Sequence, residues 1–119
     1  MPHYLISFND GDMKFPQEDL PLVAEDAHRI MMKAIDAGVW VFGGGFEDYD
    51  PHVVAAEGTR TQGPIKASNV VLGGFCVLKV EDDAEAYNWA QQFAVACRCS
   101  QEVRKFMEDP IQEAALKGK

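Results

Sequence analysis

Apolar and polar side chains alternate along "HYLISF", residues 3–8, so a strand there sets Tyr4, Ile6 and Phe8 on one face and His3, Leu5 and Ser7 on the other. "NDGD" then turns the chain. From Asp19, an N-cap residue type with Pro21 in the turn that follows, the period becomes helical and continues to Ala37, where Gly38 supplies the stop. The apolar stripe of this helix is Leu20, Val23, Ala27, Ile30, Met31 and Ala34. Its polar side carries Glu25, Arg29, Lys33 and Asp36, so the helix needs an apolar surface to dock on.

"VWVFGGGF", residues 39–46, is β-branched and aromatic on both faces, and "VVAAEGT", 53–59, is its expected hairpin partner across the polar "EDYDPH". "GGFCVLKV", 73–80, predicts a further strand, with Phe75 and Val77 on one face and Cys76, Leu78 and Val80 on the other. A second helix over 81–97 opens with Asp82 and Glu85 in capping-box relation. Ala86, Ala90, Phe93 and Cys97 form its apolar face, flanked by Trp89 and Ala94. "QEVRKFM", 101–107, closes the series as a strand, and the tail adds a helical turn after Pro110. The order β-α-β-β-β-α-β is that of an α+β, ferredoxin-like protein with one extra strand, a mainly antiparallel sheet carrying two helices on one face. Helices cover only that face, and the simplest cover for the other is a second copy, so a homodimer is expected.

Several segments, in this order, resemble the YCII-related proteins and, within them, the DGPF subgroup: "HYLISF", "AIDAGVWVFGGGF", "TQGPI", "VLGGFCVLKVED", "AEAYNWAQQF" and "EVRKF". The resemblance runs from about residue 3 to residue 107 and implies a dimeric α+β barrel, two ferredoxin-like sheets set face to face. Where the subgroup has its Asp-Gly-Pro-Phe motif, this chain has Gln62-Gly63-Pro64-Ile65, which keeps the turn-forming pair but not the carboxylate. The resemblance also implies a histidine on the first helix as an acid or base, and His28 matches it. The aspartate that would partner it near the end of the second helix has no counterpart in "WAQQFAVACRC".

The 119 residues form a single domain, with a core over about 3–107 and a tail over 108–119. An apolar fraction of 47% and a charged fraction of 25% are those of an ordinary globular chain. The net charge of -8, with eleven scattered lysines and arginines, argues against a nucleic-acid partner. The first apolar run follows no basic region and is too short to span a membrane, so a cytoplasmic protein with no membrane contact is expected. Cys76, Cys97 and Cys99 are odd in number and read as reduced thiols rather than a disulfide framework.

His28 lies at the margin of the first helix's apolar face, where an imidazole can enter a cleft and transfer protons, or can simply bond to a neighbour. Arg60, Gln62 and Lys66, with Ser68 and Asn69, fit either a polar rim for a small anionic molecule or a solvated crossover. Glu47, Asp48, Asp50 and His52 resemble an oxygen-and-imidazole set, but lack regular ligand spacing, so no metal is expected. Gly43, Gly44 and Gly45 precede no helix and read as close backbone packing or a bulge rather than a phosphate loop. Cys97 falls on a buried helical face and Cys76 in a strand core, both as structural thiols. The functional expectation is a protein that binds or transforms a small molecule near a dimer interface, without a cofactor; the alternative is a non-catalytic dimerisation or regulatory module.

Overall fold

Tyr4 and Ile6 are each 1% exposed while Leu5 between them is only half-buried, and this alternation fixes which face of β1, His3–Asn9, meets the helices. The computed structural model describes residues 1–9, 11–47, 51–64 and 71–117. Along these run α1 (Leu20–Asp36), β2 (Trp40–Gly45), β3 (His52–Val54), β4 (Arg60–Gln62), β5 (Leu72–Lys79), α2 (Asp83–Cys97), β6 (Glu102–Lys105) and α3 (Pro110–Lys117). Four strands form one sheet in the order β2-β5-β1-β6, with every neighbouring pair antiparallel. β3 and β4 form a separate two-stranded sheet.

Helix boundaries follow the local chemistry. A short 3-10 turn, Gln17–Asp19, precedes α1, and Asp19 makes no side-chain cap, contrary to the capping role its residue type suggests. At the other end Gly38 takes φ +75°, and the amides of Gly38 and Val39 return to the carbonyls of Ile35 and Ala34 at 3.0 and 3.1 Å. That pair of bonds closes the helix in a Schellman motif, with the conformation glycine adopts at no steric cost. α2 begins as expected: the Asp82 side chain accepts from the Glu85 amide at 2.9 Å, and the Glu85 carboxylate accepts from the Glu81 amide at 3.0 Å. Its end uses Arg98 at φ 59°, where glycine is usual, and the Arg98 guanidinium reaches Asp26 of α1 at 2.9 Å.

Both long helices pack on the same face. Tyr4, Ile6, Cys76, Leu78 and Val80 meet Ala34 from α1 and Ala86, Trp89, Ala90 and Phe93 from α2 in one buried cluster. Trp40 adds its ring from β2, 6.4 Å from that of Phe93. Tyr4 also donates its hydroxyl to Asp83 at the start of α2; that bond, foremost, pushes the phenol up to about 12. The predicted stripe of α1 is narrower than its sequence suggests, because only Val23 and Ala34 are fully buried and Leu20 is exposed.

The expected hairpin between 39–46 and 53–59 is not formed. β2 pairs with β5 instead, Gly43 opposite Cys76, Gly44 opposite Phe75 and Gly45 opposite Gly74. Close approach explains the choice: a Cβ at Gly43 would lie 2.6 Å from the Cys76 Cα and the Phe75 carbonyl oxygen, and one at Gly74 2.8 Å from the Gly44 carbonyl oxygen. Glycines on both strands let these backbones meet where no other residue fits. A bulge between Trp40 and Phe42 brings Phe42 opposite Val77. The 53–59 segment is instead cut by a tight turn at Ala55–Thr59, with Gly58 at φ +94°, and folds back on β4.

Candidate functional site

The sheet face away from α1 and α2 carries His3, Leu5 and Ser7 from β1, Phe75, Val77 and Lys79 from β5, and Phe42 from β2. Phe42 is 66% exposed, and Phe46 lies beside Phe75 with ring centroids 5.8 Å apart. One end of this face is roofed by the chain's own C-terminus. After β6 the Phe106 amide donates to the His3 carbonyl at 2.9 Å, which pins the connection across the start of β1. Asp109 then caps α3, its carboxylate accepting from the amides of Ile111 and Gln112 at 3.0 and 3.3 Å, with Pro110 at the first helical position.

The space between α3 and the sheet is a half-open cavity of about 620 Å³. Its floor is His3, Val41 and Val77, its roof Gln112, Glu113 and Leu116, and Phe106 to Asp109 form the wall between them. A volume of this order suits a small metabolite, with apolar surface for the body and a few polar groups to orient it. Among the described residues His3 is the only imidazole on the lining. Burial, then the neighbouring Lys79, hold it below its ordinary 6.5, with Glu113 acting in the opposite direction. A neutral imidazole offers one nitrogen as a proton acceptor and the other as a donor.

A scan of protein-family models finds none that matches this chain, and a search of curated proteins returns no match.

The sequence-expected site residues do not gather around this cavity. His28 is exposed on α1, one residue from the Arg29 to Asp26 ion pair at 2.9 Å. Arg60 and Gln62 are exposed on β4, which pairs with β3. Lys66, Ser68 and Asn69 lie outside the described residues, as do Asp48 and Asp50. A second cavity, about 340 Å³ between α2 and β6, is lined by Tyr87, Gln91, Ser100 and Val103 among others. Neither lining contains His28, Arg60 or Gln62. Among the described residues no three His, Cys, Asp or Glu side chains form a metal-holding group. All three cysteines are free thiols; burial, foremost, pushes Cys76 up to about 12 and Cys97 to about 11, which makes both poor nucleophiles.

Nothing local in the sequence sets His3 apart from an ordinary outward strand residue. The available signal was in the tail: "EDPIQEAAL" carries an Asp-Pro helix start followed by apolar residues at helical spacing, which foretells an element able to return over the sheet.

Proposed function

We propose that this chain is a YCII-related, DGPF-like protein of ferredoxin-like fold that forms a homodimer through the open face of its sheet and binds a small organic molecule under its C-terminal helix. The observation that carries the binding reading is the cavity with His3 in its floor and an apolar body beneath a polar rim. In this reading the acid or base role implied for His28 passes to His3. The order β2-β5-β1-β6, with α1 and α2 on one face, supports the ferredoxin-like assignment.

The dimer is supported by the sheet face that α1 and α2 leave uncovered, which Phe42 and Phe46, 66% and 57% exposed, make apolar. The protein is expected to sediment as a dimer at micromolar concentration, and Phe42→Glu to shift it to monomer. A wild-type monomer by ultracentrifugation would defeat the barrel. The same apolar face also fits a non-catalytic dimerisation or regulatory module, which differs in predicting a dimer without a ligand.

The binding reading is tested by thermal shift against a metabolite library. A stabilising compound should lose its effect in His3→Ala and keep it in His28→Ala. The reverse pattern would move the site to α1 and return the imidazole's role to His28.

A further inference from the structure

The lining of the cavity under α3 has a definite charge. Glu108, Asp109 and Glu113 contribute carboxylates, while among the described residues no lysine or arginine side chain lines it. Asp109 is committed to the helix cap, where the amides of the first turn answer its charge. The carboxylates of Glu108, exposed, and Glu113, half-buried, have no hydrogen-bond or ion-pair partner among the described residues. Both are therefore open to a charge-assisted contact with a cation that enters the cavity.

The groups facing His3 reinforce this arrangement. Lys79 on β5 and the N-terminal ammonium are the cations near it, and Glu113 on α3 is the anion. The two cations act on His3 from outside the lining, and with burial they disfavour its charged form. The neutral imidazole can accept a hydrogen bond from a cation in the cavity.

We infer that the cavity takes a small organic amine: an ammonium head held by Glu113 of the roof and Glu108 of the wall, with an apolar body resting on Val41, Val77 and Phe106. The inference rests on the binding reading above and names its ligand class, a cation rather than the anion that the 60–69 segment suggested in the sequence.

Three probes with matched six-carbon bodies separate the class from the site: n-hexylamine, 1-hexanol and hexanoate, each titrated at millimolar concentration into the full chain and followed by amide chemical shifts. The amine is expected to bind most tightly, with the largest shifts at Val41 and Val77. Glu113→Gln, which keeps the side chain's shape, is expected to lower the amine's affinity roughly tenfold, the size of one charge-assisted contact, and to leave hexanol unchanged. If hexanoate binds best, or Glu113→Gln weakens amine and alcohol alike, the ligand class is overturned and the cavity stands. If none of the three moves Val41 or Val77, the cavity fails as a binding site and the amine fails with it.

Discussion

Replacing Gly43 with alanine is expected to lower the thermal midpoint by about 10 °C or more, a loss of ~3 kcal/mol at the upper end of what overpacking costs. The new Cβ would stand 2.6 Å from the Cys76 Cα, the Cys76 Cβ and the Phe75 carbonyl oxygen. Two of these three atoms are main chain, so relief requires β2 to move away from β5 and give up ladder hydrogen bonds. Adding Cys76→Gly to the alanine variant should therefore rescue it only in part. Gly44→Ala is the matched control, since no atom of the described residues lies within 4 Å of a Cβ there. Its melt, followed by circular dichroism, should stay near the wild-type midpoint. Equal melting of the two alanine variants would show that β2 does not pair with β5 in this register.

Leu78→Ala is expected to cost about 2–5 kcal/mol, the range for emptying a fully buried leucine site. Leu78 is 0% exposed on β5, opposite Tyr4 on one side and Trp40 on the other, in the cluster beneath α2. Both neighbouring strands hold its backbone, so the site has little freedom to collapse around the lost atoms. Val95 on α2, 73% exposed, provides the contrast, and Val95→Ala should fall within about 0.5 kcal/mol of wild type. Urea denaturation compares the two. A Leu78→Ala cost below about 1 kcal/mol would place the core elsewhere.

The parts of this fold that sequence reveals are those set within a few residues. Alternation gave the faces of β1 and β5 correctly, Tyr4 and Ile6 inward on one, Cys76 and Leu78 on the other. Gly38 and Asp82 mark helix ends because their effect is on the backbone beside them. Strand partners are another matter, since period-two alternation says nothing about which strand lies alongside. Adjacency in the chain favoured 53–59 as the neighbour of β2, whereas close contact between glycine-bearing backbones selected β5. The run Gly43 to Gly45 and the pair Gly73 and Gly74 were both visible, and matching them would have identified the pairing.

The candidate site was legible only in its pieces. His28 sits at the edge of a helical stripe on paper, but α1 buries so narrow a face that the imidazole is left in solvent. His3 gains its surroundings from residues more than a hundred positions away, through the turn at Phe106 and the return of α3. Such a contact depends on where the tail is aimed after β6, and no local propensity encodes that direction.

The two outer strands of the sheet also differ in how readily they would recruit a foreign strand. β6 is four residues long and presents Glu102, Arg104 and Lys105, a short, charged border of the kind that discourages edge-to-edge polymerisation. β2 is six residues long, "WVFGGG", with no charge at all, so a destabilised or partly opened chain exposes a template for aggregation at Trp40 to Phe42. The glycines that fit β2 against β5 act a second time here. They deprive the remaining half of that border of side chains and of strand propensity, leaving an incoming strand only a three-residue foothold.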